Sequence, residues 1–110
     1  VTFCKSGSVS TGVGSYRWYN DLGVTLTIRS IRATVGTAST AGAVTVDVNV
    51  NGGSIYSVAG NRPSIAASAN TSGANTGFST TTLGAGSYLS ADVDAAGTGA
   101  SDLVLQIELG

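Results

Sequence analysis

The sequence VTVDVNVNG, residues 44–52, carries the clearest structural signal in this chain. Four valines alternate with polar residues, and this period of two is typical of a strand with one buried and one solvated face. Asn51-Gly52 follows directly, and both residues tolerate the positive φ angles that a two-residue hairpin turn requires. The stretch therefore predicts a strand from Val44 to Val50, a tight turn, and a short partner strand around Ile55 and Tyr56.

The same alternation recurs on both sides of this hairpin. Apolar residues follow a period of two in Val24–Val35, Leu89–Val93 and Leu103–Leu109. One step of three, from Ile28 to Ile31, would turn the buried face over, so it predicts a β-bulge or a strand break at Arg29-Ser30. Residues 66–77 have the weakest pattern and are expected to form a long surface loop or an irregular edge strand. With turn-rich segments between the runs, about eight short strands are expected. The pattern predicts an all-β fold, an antiparallel, jelly-roll-like β-sandwich that spans residues 1–110 as a single domain.

Composition and charge narrow the classes of function. The 110 residues are enough for one hydrophobic core, and 10% of them are charged, with a net charge of −1. An average soluble domain has roughly 25% charged residues. Nucleic-acid binding requires a basic stripe, and membrane insertion requires an apolar run of about 20 residues. Because the sequence contains neither, we expect no nucleic-acid partner and no membrane insertion. The chain begins at Val1 without Met, as a processed chain or a fragment does.

Residues that carry the common catalytic mechanisms are scarce. The sequence contains no histidine, one lysine (Lys5) and one cysteine (Cys4). Without an imidazole, the serines and Cys4 lack the usual general base. A single cysteine also rules out an intrachain disulfide and a cysteine zinc site. We therefore expect no catalytic residues, no enzyme activity and no cofactor.

Aromatic and arginine side chains supply the candidates for ligand binding. In an extended segment Arg17 and Tyr19 share one face, where they form a candidate surface for stacking a sugar, while Trp18 is expected in the core. Arg62 precedes the single proline, Pro63, which marks a sheet edge or the entry to a loop. The full set of ligand-binding candidates is Arg17, Tyr19, Tyr56, Arg62 and Tyr88.

Acidic side chains supply the candidates for metal binding. Asp47 lies on the polar face of one predicted strand, and Asp92 and Asp94 lie on the polar face of another. Calcium binds carboxylate and amide oxygens of this kind, so Asp47, Asp92 and Asp94 are the metal candidates. Any solvated strand face carries the same residue types, and that interpretation stays open beside the calcium site.

Five strings of sequence stand out in order along the chain. They are YRWYND (residues 16–21), IRATVGTA (31–38), VDVNVNG (46–52), GNRPSIAA (60–67) and YLSADVD (88–94). Together they resemble a small β module that recurs in structural proteins of tailed bacteriophages, including tail or collar fibre proteins and head-surface proteins. The resemblance covers about residues 15–109.

The resemblance implies a non-enzymatic domain on the virion surface, in a fibre or receptor-binding protein or in a capsid-decoration protein. It further implies a homo-oligomer, with a trimer favoured, that contacts other virion proteins and, in a fibre, a host surface glycan. Such a domain acts by multivalent contact, because tethered copies add their individually weak interactions. Residues 1–14 match none of the strings and are expected to be either a linker or a strand exchanged with a neighbour. The alternative function is a carbohydrate-binding module of a larger secreted or cell-surface protein.

Overall fold

The computed structural model describes residues 1–110, and strands account for nearly all of its regular structure. The strands are β1 (Thr2–Ser8), β2 (Gly12–Val13), β3 (Trp18–Tyr19), β4 (Leu26–Thr37), β5 (Ala41–Val50), β6 (Gly53–Ser54), β7 (Ser64–Ile65), β8 (Thr82–Leu83), β9 (Tyr88–Thr98) and β10 (Ser101–Leu109). One 3-10 turn, Ala59–Asn61, is the sole helical segment, and no helix of membrane-spanning length and hydropathy is present. The all-β prediction is confirmed. Ten strands form where about eight were expected, because a two-residue strand leaves no alternation in the sequence.

The strands form two antiparallel sheets that pack as a sandwich. The first sheet has the order β1-β10-β4-β8, and the second has the order β2-β9-β5-β6. In the second sheet β3 also pairs with β9, and β7 also pairs with β5. The predicted antiparallel β-sandwich is confirmed.

A long two-stranded ribbon passes from one sheet to the other. In the first sheet β4 pairs with β10, and in the second sheet their continuations β5 and β9 pair with each other. At the crossing, the Thr40 N–H donates to the Thr98 carbonyl at 2.8 Å, so the two segments of the ribbon stay hydrogen-bonded as they pass from one sheet to the other. The ribbon therefore connects the two layers of the sandwich.

The hydrophobic core lies between the inner faces of the two sheets. It is formed by the alternate positions that the sequence pattern marks as apolar, because successive side chains on a strand point to opposite faces. The fully buried members of this set include Ile31, Ala33, Val44, Val46, Val48, Leu89 and Ile107. Trp18 is only half-buried and packs against the outside of this cluster, so its expected place in the core is only partly right.

The break in parity at Arg29-Ser30 is a β-bulge within one continuous strand. Ser30 pairs with Glu108 and Ile28 pairs with Leu109, which leaves Arg29 as the extra residue on β4. The bulge returns the apolar face to the core after the step of three, as the sequence predicts.

The Asn51-Gly52 turn joins β5 to β6 in a two-residue hairpin. Asn49 pairs with Ser54 and Val50 pairs with Gly53, and the turn residues have φ angles of 52° and 86°. The predicted turn is confirmed, but the partner strand is Gly53–Ser54 and ends before Ile55 and Tyr56, where it was expected.

Residues 66–77 form a loop that runs along the outer edge of β4. Isolated bridges join Ile31 to Asn75 and Thr34 to Thr71, and the Val35 N–H donates to the Asn70 carbonyl at 2.9 Å. The prediction of a loop or irregular edge strand is therefore confirmed, and the loop covers an edge that could otherwise pair with another chain.

The first fourteen residues, called the N-terminal arm below, lie along one side of the sandwich. β1 is an edge strand of the first sheet and pairs with β10, and β2 pairs with β9 of the second. Both strands are almost entirely exposed, and only Phe3 of β1 is half-buried. The arm therefore bridges the two sheets at their edges, and Val1, Phe3 and Val9 pack against the core from outside.

Candidate functional site

The side chains of Arg17, Tyr19 and Tyr88 come together at the surface, and we call them the tyrosine–arginine cluster. Tyr19 and Tyr88 are opposite each other in the β3–β9 pair, with ring centroids 5.3 Å apart and a tilt of 47° between the rings. The Arg17 guanidinium carbon lies 4.4 Å from the centroid of the Tyr88 ring, and Arg17 Nη1 donates to Tyr19 Oη at 3.4 Å. Three of the five ligand-binding candidates from the sequence therefore form one site.

Asn51 fixes the backbone beneath this cluster. Its side-chain oxygen accepts the Tyr88 N–H at 3.1 Å, its side-chain nitrogen donates to Ser87 Oγ at 3.1 Å, and its own N–H donates to the Tyr88 carbonyl. The turn that the sequence predicts for chain reversal thus also anchors Tyr88, a role that no sequence pattern signals.

Asn20 provides a second support and was missed by sequence reasoning. It is fully buried, and its side-chain nitrogen donates to the carbonyls of Val24 and Leu83 at 2.8 and 3.0 Å. Its backbone N–H donates to the Ser87 carbonyl at 2.8 Å, next to Tyr88. A buried amide whose polar groups are all hydrogen-bonded holds the segment around Val24 and the segment from Leu83 to Ser87 in one arrangement beside the cluster. The single signal in the sequence is an asparagine directly after the aromatic run.

The guanidinium of Arg17 has no acidic partner. Both ion pairs of the structure belong to Arg62, and Arg17 makes one side-chain hydrogen bond, to Tyr19. That bond is the main cause of the raised pKa of Arg17, with the nearby Tyr88 as the next cause. The cluster therefore presents a permanent, exposed positive charge.

Tyr56 does not belong to this site, and its selection as an exposed ligand-binding residue is wrong. It is 4% exposed, its ring packs edge-on against Phe78, and its hydroxyl donates to Asn75 Oδ1 at 2.9 Å. Burial raises the pKa of the phenol, so Tyr56 stays neutral and acts as a core residue. The loop that follows β6 turns inward here, which the short hairpin pattern does not reveal.

Arg62 also lies away from the cluster and is taken up by acidic groups of its own chain. Its Nη1 lies 2.7 Å from Asp94 Oδ2, and its Nη2 lies 3.4 Å from Asp47 Oδ2. Pro63 directly after it is buried and leads into the edge strand β7, as the sequence predicts. A half-buried arginine between two carboxylates holds the loop to the sheet and is not free to bind a ligand.

The three aspartates selected for calcium do not form a metal site. Asp47 and Asp94 bind Arg62, whereas Asp92 accepts hydrogen bonds from Asn49 Nδ2 at 2.8 Å and from the Gly14 N–H at 3.0 Å. No cluster of three potential ligands is present. The prediction also placed Asp47 on a solvated face, but it is 4% exposed because the Arg62 loop covers that face.

A groove of about 600 Å³ opens between the two sheets beneath the N-terminal arm. Its floor reaches the core residues Val46, Leu103 and Leu105, and its rim includes Val13 and Tyr16. These two rim side chains are 88% and 77% exposed. The arm can approach β9 this closely because Gly14 has no side chain, since a Cβ there would overlap the Ala91 carbonyl. The side of the sandwich next to the arm is therefore incompletely closed.

Comparisons with protein-family models, with curated proteins and with solved structures found no match to this chain.

Proposed function

We propose that this chain is a non-enzymatic structural module of a bacteriophage virion surface, in a fibre or receptor-binding protein or in a capsid-decoration protein. In this proposal it forms a homo-oligomer, with a trimer favoured, and acts through many simultaneous contacts. The observation that supports self-association is the groove beneath the N-terminal arm, and the resemblance of the five sequence strings supports the virion role. A single domain normally packs its two sheets closely along their whole length, and this sandwich has an open groove along one side whose lining includes the core residues Val46, Leu103 and Leu105.

A second copy of this chain is the occupant that we propose for this side. Val13 and Tyr16 stand on the groove rim, and exposed apolar side chains around an opening into the core mark an interaction surface. A symmetric assembly uses the same patch on every copy, so contact along the arm closes every groove at once.

The charge of the chain supports self-association. Five basic and six acidic residues give a net charge of −1, and 10% of the residues are charged. Net charge far from zero keeps proteins apart, and a nearly neutral surface imposes little repulsion between copies. This balance favours an assembly of identical subunits over a partner of strong opposite charge.

The residue inventory supports a role without catalysis. The chain contains no histidine, and Cys4 is exposed on β1. The acidic residues that could act as a pair, Asp92 and Asp94, are each hydrogen-bonded to other groups of the protein. Multivalent contact needs rigid positioning of copies and no reactive side chain.

Light scattering on the purified chain tests the proposal, with Tyr16→Asp as the variant and Val58→Asp as its matched control. Both residues are exposed, at 77% and 55%, but only Tyr16 borders the groove. We expect a trimer for the original chain and for Val58→Asp, and a monomer for Tyr16→Asp with an unchanged circular dichroism spectrum. A monomer for the original chain at every concentration would contradict the proposal.

A carbohydrate-binding module is the second candidate, and the tyrosine–arginine cluster favours it. The cluster offers exposed aromatic rings beside a charged donor, a combination that suits a ligand with one apolar face and several polar groups. A stable monomer that binds oligosaccharides through Tyr19 and Tyr88 would replace the assembly proposal with this one.

A further inference from the structure

We infer that the tyrosine–arginine cluster binds a sugar that carries a carboxylate group. The inference rests on the proposed function in taking this domain as a binding part of a surface. It adds the chemical class of the ligand and the residue that selects it.

Contacts within the protein hold the guanidinium of Arg17 in a position where it can bind an anion. The contact with the Tyr88 ring and the bond to Tyr19 Oη hold the guanidinium at the cluster, and four of its five N–H groups stay free. A planar fork held in place by a ring loses little freedom when it pairs with a carboxylate. No carboxylate of the protein pairs with Arg17, so the guanidinium is open to a carboxylate from outside the chain.

The other arginines give no such opportunity. Arg62 is held between Asp47 and Asp94. Arg32 Nη1 donates to Thr71 Oγ1 at 3.0 Å, in the loop formed by residues 66–77. Neither of them contacts an aromatic ring. Arg29 contacts no ring either, so stacking on an aromatic ring distinguishes Arg17, whereas the lack of an acidic partner is shared with Arg29 and Arg32.

The tyrosine rings favour a sugar as the body of this anion. Tyr19 is 45% exposed, and the 47° tilt against Tyr88 makes a shallow, open surface. The negative face of an aromatic ring attracts the polarised C–H groups of a pyranose, and a shallow site leaves its hydroxyls in water. An elongated apolar ligand would require a deeper cavity than this surface provides.

A carboxylate fits this single cation better than a phosphate monoester. The site has one cation, Arg17, and no lysine or second arginine is bonded into it. One guanidinium matches one carboxylate in charge and in its planar, two-point geometry. A phosphate carries nearly two charges and is usually held by a group of cations.

Isothermal titration calorimetry with trigalacturonic acid tests the inference, and its methyl ester serves as the matched neutral ligand. We expect the acid to bind and the ester to bind about tenfold more weakly, as the loss of one charge-assisted pair implies. Arg17→Gln should lose the preference for the acid, whereas Tyr19→Ala should weaken both ligands. The control Arg32→Gln should bind like the original chain, and thermal unfolding checks that every variant folds.

Three results would overturn the inference. Equal binding of acid and ester would show a neutral-sugar site and leave carbohydrate binding in place. Displacement of the acid by acetate or inorganic phosphate at equal concentration would reduce the cluster to an anion site. The absence of binding by either ligand would remove the site altogether. None of these results changes the solution mass, so failure of this inference and failure of the assembly proposal are distinguishable.

Discussion

Asp47 is a side chain whose burial differs from the burial that the alternation of its strand predicts. Alternation places it on the outward face of β5, yet it is 4% exposed beneath the Arg62 loop. Its Oδ1 accepts hydrogen bonds from Ser54 Oγ at 2.7 Å and from the Val48 N–H at 2.9 Å. Loss of water is the main effect on this carboxyl and raises its pKa, against the opposing effects of Ser54 and Arg62. The carboxylate is therefore more costly inside the fold than in the unfolded chain.

The substitution Asp47→Asn should change how stability depends on pH. Because the folded pKa lies above the unfolded value of 3.8, the folded state holds this proton to a higher pH than the unfolded chain does. The free energy of unfolding of the original chain should therefore fall, relative to the variant, as pH rises from about 3.8 through the folded pKa, and then level off. Urea unfolding of both proteins from pH 3 to pH 7 measures this difference. If the free energy of unfolding of the original chain instead rises with pH relative to the variant, the attraction of Arg62 for the carboxylate outweighs the cost of burying it.

At the scale of elements, the ribbon crossing between the sheets depends on Ser39. This residue is 2% exposed, and its Oγ lies 2.8 Å from the carbonyls of Ala41 and Gly42 and accepts the Thr98 N–H at 3.0 Å. A single hydroxyl thus satisfies backbone groups of β5 and β9 where both strands bend. The residue opposite, Gly97, has a φ of 61°, and a Cβ there would collide with Ser39 Oγ.

Gly97→Ala and Gly99→Ala together separate collision from backbone strain at this crossing. Gly99 has a similar φ of 75°, but a Cβ there would meet nothing within 4 Å. We expect Gly99→Ala to lower the free energy of unfolding by about 1 kcal/mol from the left-handed backbone alone. Gly97→Ala should cost a further ~1–3 kcal/mol, because it displaces Ser39 from its hydrogen bonds. Equal losses in urea unfolding would show that Ser39 moves aside freely.

The elements that the sequence predicts well are those in which the signal is local. The alternation around Val44, the Asn51-Gly52 turn and the bulge at Arg29 each depend on a few adjacent residues, and each lies where it was expected. Contacts between distant segments leave no such signal. Tyr56 and Asp47 are buried by chain that returns from elsewhere, so both were expected at the surface.

The candidate site also combines local contacts, which the sequence indicates, with contacts between distant segments, which it does not. Arg17 and Tyr19 are two residues apart on one extended segment, and their pairing follows from strand geometry. Tyr88 joins them through the long-range register of β3 on β9, and the supports from Asn20 and Asn51 depend on loop folding. A sequence identifies these residue types without revealing which of them meet.

At the scale of the whole molecule, stability is unevenly distributed. Strands β5 and β9 at the centre of the ribbon are each bonded on both sides, and β5 buries both faces of its middle residues. The N-terminal arm is bonded at one edge of each sheet, and ten of its fourteen residues are exposed. Local opening requires the least free energy where few apolar contacts must break. The arm should therefore open without the rest of the sandwich, and assembly along the groove should hold it closed.

Amide hydrogen exchange tests this coupling of arm and assembly, with the β5 amides as an internal reference. In dilute solution the β1 amides that bond β10 should exchange about a hundredfold faster than those of β5, since they open locally. At concentrations where copies associate, exchange in β1 should slow while β5 stays unchanged, because burial of the groove stabilises the closed arm by mass action. Tyr16→Asp should keep the fast exchange of β1 at every concentration. If β1 exchanges as slowly as β5 in a monomeric sample, the arm is an integral part of the sandwich, and the groove beneath it does not require a second copy for closure.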